Sequence, residues 1–308
     1  MRDANTSLTR SVAIIIPIFN EEDSIESTLT RIFRVTQNIA GWQIKVICVN
    51  DGSTDKSALK IQAFPHVTPI NHSTNQGYGA ALKTGIDASK EGWVCILDAD
   101  GTYPIENLNH FFTQIENLPS ISMVVGERKG IGIIKNPIRR LARWVLKKIV
   151  LALTGIRVRD LNSGMRLFKK ELFLQCSHLI PNGFSFTTTL TVASLYMGYE
   201  IKYIPIEYSI RLGKSSIRPV RDFINFLILI TRLSTYFEPL TFFIPISLLC
   251  FLLGSIRSIR DIIVSQHIGS LALLLIISSI HIFIMGVLAD VIARHSRYLQ
   301  HVNKRKNE

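Results

Sequence analysis

The sequence has no Cys-x-x-Cys pair, no Gly-x-Gly-x-x-Gly or Walker loop after its first apolar run, and no internal repeat or low-complexity tract. Its four cysteines (Cys48, Cys95, Cys176, Cys250) are scattered, and two fall inside expected strands. They read as core filler in a reducing compartment, which excludes a disulfide frame and a zinc site. The missing glycine loops argue against a dinucleotide dehydrogenase and a P-loop NTPase. A secretory signal is also lacking: Ser11 to Pro17 is apolar but too short, and it runs straight into Asn20-Glu21-Glu22-Asp23. Acidic residues are scarce. Thirty-five Lys and Arg face 23 Asp and Glu, for a net charge of +12, yet 47% of the residues are hydrophobic. That excess of apolar residues excludes a basic nucleic-acid binder and suits work on an anionic membrane surface.

Charge is absent altogether from two stretches, the 18 residues Pro239 to Ile256 and the 28 residues Ile262 to Ala289. Each is long enough to cross roughly 30 Å of hydrocarbon at about 1.5 Å per residue. Within the second, His267 and His281 are the titratable groups, and each reads as an interhelical hydrogen-bonding residue. Arg211, Lys214, Arg218, Arg221 and Arg232 precede the first stretch, and Arg294, Arg297, Lys304, Arg305 and Lys306 follow the second. Only Arg257 and Arg260 lie between them. The positive-inside rule then puts the large N-terminal part and the tail in the cytoplasm, with a short loop (Ser258–Gln266) outside.

The N-terminal part alternates apolar runs and helical patterns. Expected strands are Ala13–Ile16, Lys45–Val49, Thr68–Asn71, Trp93–Asp98 and Ser122–Val125; expected helices are Ser24–Asn38, Asp55–Ala63, Ala80–Ser89 and Ile105–Asn117. That rhythm predicts an α/β fold with a mostly parallel, doubly wound sheet. Two of the strands end in acidic clusters, Asn50-Asp51-Gly52-Ser53 and Asp98-Ala99-Asp100. Carboxylates there face the ligand crevice of an open sheet, and two Asp one residue apart can hold a hard cation against a diphosphate. Gly77-Tyr78-Gly79 opens the third helix, either as a plain turn or as a close backbone approach to a ligand.

From Arg128 to Arg159 there are ten Lys and Arg and no acidic residue. Ile138, Leu141, Ala142, Val145, Ile149 and Leu153 recur at helical spacing, with Arg139, Arg140, Arg143, Lys147 and Lys148 facing elsewhere. The pattern fits a helix lying in the membrane interface (131–155), or a surface helix with a solvated basic face.

Together these motifs resemble the family-2 glycosyltransferases of GT-A fold: Ile14-Ile15-Ile16-Pro17-Ile18-Phe19-Asn20-Glu21-Glu22, Asn50-Asp51-Gly52-Ser53-Thr54-Asp55, Asn75-Gln76-Gly77-Tyr78-Gly79 and Asp98-Ala99-Asp100. Asp160-Leu161-Asn162-Ser163-Gly164-Met165-Arg166, Arg211-Leu212-Gly213-Lys214-Ser215-Ser216 and the terminal hairpin narrow the resemblance to the polyprenyl-phosphate transferases. It implies a GT-A domain over 1–222, a juxtamembrane helix over 223–236, two spans within 237–293 and a basic tail over 294–308. It further implies transfer of a sugar from a UDP- or GDP-linked donor to a polyprenyl phosphate, with inversion, and a homo-oligomer, tetrameric in the family.

By the same resemblance Pro17, Phe19, Glu21, Asp51 and Gly77 bind the nucleotide sugar, and Asp98 and Asp100 hold ribose and Mg²⁺ or Mn²⁺. Arg128, Arg139, Ser163, Arg211 and Lys214 grip the lipid phosphate. Thr102 departs from relatives that carry a metal-holding Gln there, which leaves a water to fill that position. Asp160 counts with Asp98 and Asp100 among the catalytic residues, as an orienter of arginines or of a sugar hydroxyl. A phosphate acceptor is largely a dianion near neutrality and needs no general base. A processive polysaccharide synthase is the alternative, although Arg140-Leu141-Ala142-Arg143-Trp144 lacks the Gln of that class's Gln-x-x-Arg-Trp element. A non-catalytic membrane adaptor is the other, and it would not require Asp51, Asp98 and Asp100 together.

Overall fold

The computed structural model describes residues 10–129, 144, 148, 150–151, 155, 158–183, 185–209, 228–229 and 231–306, with side chains to 295. The chain divides into two compact units, residues 1–147 with 156–222, and residues 148–155 with 223–308.

The first unit is built on strands whose sequence is apolar without alternation. β1 (Arg10–Ile18) is buried from Val12 to Ile16 with 0% exposure, and β2 (Trp42–Asn50) and β4 (Trp93–Ile96) are buried through most of their length. Strands covered on both faces need such runs, and helices supply the cover. Between the strands lie α1 (Ile25–Thr36), α2 (Ser57–Gln62), α3 (Tyr78–Ala88) and α4 (Leu108–Asn117), with β3 (Val67–Asn71) and β5 (Ile121–Lys129). β6 (Arg166–Lys169), α5 (Lys170–Cys176), α6 (Phe186–Tyr196) and β7 (Glu200–Glu207) complete the unit. The sheet order is β3-β2-β1-β4-β6-β5-β7, parallel except for β6, which runs antiparallel to both β4 and β5.

The expected mostly parallel sheet is present, with two strands and two helices the sequence reading did not assign. The fourth strand also stops at Ile96, two residues short of the expected end, and the chain turns at Ala99 and Asp100. That turn aims the acidic pair. The order reverses between β1 and β4, and connections diverging there open a crevice at the strands' C-terminal ends. Phe19, Asp51 and Asp98 all follow strands at that edge; Ile18 pairs with Asn50, the Asp51 amide donates to the Ile18 carbonyl (2.8 Å), and Leu97 donates to Ile15 (3.2 Å).

In the second unit α7 (Pro239–Ser265) and α8 (Ser270–Lys306) form a hairpin. Residues Pro239–Ser265 and Ser270–His295 are long and apolar enough to cross a membrane, and in each case only 17% of the most apolar window is buried. Apart from Pro239 at the start of α7, the buried positions among the described side chains recur every seven residues and are mostly small: Ser247, Gly254 and Asp261 on α7, and Ala272, Ser279, Gly286 and Ala293 on α8. A seven-residue repeat keeps one seam facing its partner, and small side chains let the backbones approach. A Cβ at Gly254 would meet Ile276, and one at Gly286 would meet Phe243.

The expected external loop is corrected. Ser258 to Ser265 are helical, and the reversal occupies Gln266 to Gly269, with Gln266 left-handed at φ 55°. Charged residues there suggested a loop, but Arg257 and Asp261 pair along one helix face (3.1 Å) and the Gly269 amide donates to Asp261 (3.2 Å), so these charges cap the turn.

One glycine tests the packing of α3. A Cβ at Gly85 would stand 2.5 Å from an Ile15 methyl and 3.1 Å from a Val49 methyl. Alanine is favoured over glycine inside an exposed helix by about 1 kcal/mol. Here Gly85→Ala should instead destabilise the unit by roughly 1–3 kcal/mol. Thermal unfolding in detergent should show a lowered midpoint.

Candidate functional site

Two sequence motifs build one wall of the crevice by bonding to each other. Asn20, left-handed at φ 55°, donates its amide to Ser53 Oγ (3.0 Å) and accepts the Thr54 amide on Oδ1 (2.9 Å). The Glu21 amide donates to Ser57 Oγ (2.9 Å), the Glu22 amide to Asp55 Oδ2 (3.0 Å), and the Lys56 amide to Glu22 Oε2 (2.9 Å). Residues 19–24 after β1 and 51–57 after β2 thus share their capping groups. Phe19 projects from this wall 44% exposed, an unusual setting for a large aromatic residue, and Pro17 and Glu21 are half-buried beside it.

Asp51 is buried and its carboxylate gathers the next loop. Oδ1 accepts the Gln76 amide (2.9 Å) and lies 2.7 Å from His72 Nδ1; Oδ2 accepts the Gly77 amide (2.8 Å). The other ring nitrogen of His72 is 3.0 Å from Thr84 Oγ1 in α3. Glycine is required at both ends of this loop. Gly52 (φ +70°) would place a Cβ 2.6 Å from the Thr74 carbonyl carbon, and Gly77 (φ +104°) one 2.6 Å from the Asn182 carbonyl oxygen. Asn182 in turn accepts the Ala80 amide (3.0 Å), so the segment before α6 caps the start of α3.

The acidic pair has different neighbours. Tyr78, half-buried at the start of α3, donates its hydroxyl to Asp98 Oδ1 (2.8 Å). Burial first, and then the Asp98 charge, push the Tyr78 phenol well above its usual pKa, so it remains a donor. Gly164 lies against the Asp98 carboxylate so closely that any Cβ there would collide with it, and its amide donates to Tyr103 Oη (2.7 Å). Asp100 Oδ1 accepts both the amide (3.1 Å) and the hydroxyl (2.6 Å) of Thr102. Thr102 is 1% exposed and holds the Asp100 rotamer. Its hydroxyl therefore acts on the carboxylate, where the sequence reading had left a metal position for water to fill.

Asp160 and Arg128, assigned separately from sequence, form one unit. Arg128 donates Nε to Oδ2 (2.8 Å) and Nη2 to Oδ1 (2.9 Å) of Asp160, which also accepts the Asn162 amide (3.0 Å). The guanidinium sits over the Tyr208 ring, 5.4 Å from its centroid. Burial alone would raise the Asp160 pKa, but the Arg128 guanidinium outweighs it and holds the carboxyl below its usual range. Ser163 is fully buried, and its hydroxyl has no hydrogen-bond partner among the described residues. Arg139, Arg211 and Lys214, the other residues assigned to the lipid phosphate, lie outside the described residues, as does most of the 131–155 helix.

Sequence reasoning passed over His72 and Tyr103, and quoted Tyr78 and Arg166 within motifs without giving them a role. Arg166 is wholly buried, and its guanidinium donates to the carbonyls of Ser163 (2.6 Å), Leu161 (3.5 Å) and Thr187 (2.9 Å) and to Thr191 Oγ1 (3.0 Å). It ties the 160–166 loop to α6, and burial lowers its pKa. An Arg in the middle of a short charged segment gives no sequence signal of that role. Among the described residues no group of three or more His, Cys, Asp or Glu is placed to hold a metal.

Residues 13–176 match the family model Glycosyl transferase family 2, and residues 238–295 match the GtrB C-terminal hairpin. The chain is 30% identical over 212 residues to the dolichyl-phosphate hexose transferase of Haloferax volcanii, covering 68% of this chain and 87% of that protein. It is 24% identical to the polyprenol monophosphomannose synthase of Mycolicibacterium smegmatis, over 67% and 81% of the two chains. Its fold is similar to that of glucosyl-3-phosphoglycerate synthase from Mycobacterium tuberculosis in complex with Mn²⁺, UDP and glucosyl-3-phosphoglycerate. There the TM-score is 0.56 at 20% identity, over 72% of this chain and 80% of that one. A GT-A sheet with paired strand-end carboxylates, a matching family model over more than half its length and an apolar hairpin of the GtrB type identify the chain as a member of glycosyltransferase family 2.

Proposed function

We propose that this glycosyltransferase moves a sugar from a nucleoside-diphosphate donor to a polyprenyl phosphate at the cytoplasmic face of a membrane, with inversion at the anomeric carbon. The observation that carries the reading is the Asp98/Asp100 pair at the strand-order reversal, on a chain that also carries an apolar hairpin. The names of the relatives, a dolichyl-phosphate hexose transferase and a polyprenol monophosphomannose synthase, support the acceptor class.

In this reading Pro17, Phe19, Glu21, Asp51 and Gly77 surround the nucleoside. Asp98 and Asp100 are the residues that would hold Mg²⁺ or Mn²⁺. Two carboxylates fit an ion of this class, which commonly takes one or two protein carboxylates and completes its shell with water and substrate phosphates. When bound, such a cation neutralises the departing diphosphate. The chain's own residues do the orienting: Tyr78 and the backbone at Gly164 hold Asp98, and Thr102 holds Asp100.

The acceptor phosphate, largely a dianion near neutrality, attacks the anomeric carbon from the face opposite the diphosphate without losing a proton. An α-linked donor then gives a β-linked product. Asp160 aligns Arg128 through a forked pair, and Arg128 with the assigned Arg139, Arg211 and Lys214 offsets the acceptor's charge. Ser163, fully buried in the present arrangement, reaches the phosphate only if the 160–166 loop shifts.

The test is transfer by purified protein from a panel of UDP- and GDP-sugars to a polyprenyl phosphate. Asp98→Asn and Asp100→Asn should each lower kcat/KM about 100-fold or more, equal to about 3 kcal/mol, with thermal unfolding unchanged. Near-normal rates for both variants in EDTA would refute the metal assignment.

Because the folded pKa of Asp160 is depressed, its ion pair stabilises the fold above the ordinary carboxylate pKa, and that stability is lost as pH falls through the lowered folded value. At neutral pH it is an anion committed to Arg128 and is a poor base. Asp160→Asn should slow transfer at saturating substrates while leaving the pH–rate profile between about pH 5 and 8 unchanged in shape. Rescue of the variant by small exogenous bases would overturn the base-free mechanism.

For topology, His267→Cys in the observed turn should react with an impermeant thiol reagent added outside intact cells, and Asn303→Cys should not. The opposite pattern would remove the cytoplasmic placement.

A further inference from the structure

Two aspartates one residue apart leave an extended chain on opposite faces, so they converge on one cation only if the backbone between them turns. Here it turns at Ala99 and Asp100, just beyond the end of β4. The turn takes the Ala99 carbonyl out of the sheet ladder. Ala99 is 2% exposed, so that carbonyl needs a donor from another element. The Thr28 hydroxyl of α1 supplies it (3.1 Å), from a residue that is wholly buried.

Thr28 differs from the other hydroxyl residues of its helix. Ser27, Thr30 and Thr36 donate back to nearby carbonyls, those of Ser24 (2.9 Å), Glu26 (2.8 Å) and Phe33 (3.2 Å). That is a common arrangement for Ser and Thr inside a helix. Thr28 directs its one hydrogen to a partner 71 residues away, and among the described residues it is the one donor to the Ala99 carbonyl. A peptide unit is planar, so holding this carbonyl also holds the Asp100 amide across the bond and the direction in which Asp100 leaves the turn. The carbonyls that follow are held as well. The Ser209 amide donates to Thr102 (3.0 Å), and Arg31, one turn of α1 beyond Thr28, reaches Tyr103 (3.5 Å).

We propose that Thr28 is a positioning residue for the transfer reaction: through the Ala99 carbonyl it sets the placement of Asp100 relative to Asp98, and with it the affinity of the pair for a divalent cation. The proposal rests on the reading that these two aspartates hold the cation.

Calorimetric titration of the full-length protein in detergent with Mn²⁺, in the presence of UDP or GDP, tests it beside steady-state transfer to polyprenyl phosphate. Thr28→Val keeps the shape of the side chain and removes its hydrogen-bond donor. It should weaken Mn²⁺ binding about tenfold, the range for a buried carbonyl left without its donor, and lower kcat by a similar factor. KM for polyprenyl phosphate should change less than about twofold, because Arg128 and Asp160 keep their pairing. Thr28→Ser, which keeps the hydroxyl, should hold Mn²⁺ affinity and kcat within about threefold of wild type. Should Thr28→Val fail to fold, Thr28→Cys, whose thiol is a weak donor, must show the same loss relative to Thr28→Ser.

Unchanged Mn²⁺ affinity in Thr28→Val, or in Thr28→Cys where the valine variant does not fold, would overturn the proposal. So would equal weakening in Thr28→Ser, which would assign the effect to packing. An acceptor KM that rises in step with the Mn²⁺ Kd would overturn it too, by reducing Thr28 to a general structural role. A wild type that binds no Mn²⁺ with either nucleotide would refute the metal reading itself, an outcome distinct from a wild type and a Thr28→Val that bind Mn²⁺ equally well.

Discussion

Carboxylates set at one edge of a parallel sheet, partly out of water, repel one another, and each must be balanced by its own donors before a site can exist. Every acidic side chain at this edge has a different solution. Asp51 accepts from two backbone amides and meets His72, Asp98 accepts from Tyr78, Asp100 from the threonine two residues on, and Asp160 from a forked arginine. These donors come from β3, α3, the turn after β4 and the end of β5, so the fold converges on the site because the charges need it to.

The same requirement explains why the 160–166 segment packs against the turn that carries Asp98. Gly164 has no side chain because the Asp98 carboxylate occupies that space, and its amide fixes Tyr103. Tyr103 meets Tyr208 edge to face at 5.1 Å, and Tyr208 lies under the Arg128 guanidinium that binds Asp160. Beneath the segment, Arg166 distributes its donors among carbonyls and a threonine hydroxyl of α6. A buried arginine without an ion partner is costly unless its hydrogen bonds are filled, and filling them fixes the loop's path. The contiguous contacts from Asp98 to Asp160 place that carboxylate and Arg128 in a fixed relation.

Much of this was legible in sequence, and the parts that were not share a physical cause. The continuous apolar runs of β1, β2 and β4 announced strands buried on both faces, and the acids immediately after them announced the crevice. β6 was invisible because it is four residues long and opens with Arg166, a residue that reads as solvent-facing until α6 is placed over it. α6 escaped because it is buried nearly all round, so its Thr-rich run carries no apolar stripe. β7 contains Pro205, which is tolerated because β7 is the edge of the sheet. His72 lacked a motif; its partners lie 21 and 12 residues away and meet it only once the sheet forms.

The motif residues themselves divide in a way that sequence could not resolve. Asn20, Glu22, Ser53, Asp55 and Ser57 use their side chains on each other's backbones, so their part in the motifs is to shape the wall. Phe19, Asp98 and Asp100 are the ones whose side chains stand at the crevice. This division bears on the chemistry. Transfer between two anionic substrates needs little proton movement and much positioning, because a phosphate nucleophile arrives already ionised. A site for that task is expected to be rich in residues that orient other residues and poor in bases near neutral pKa. Tyr78, Thr102, His72 and the Asp160–Arg128 pair, each acting on a neighbouring group, are residues of that kind.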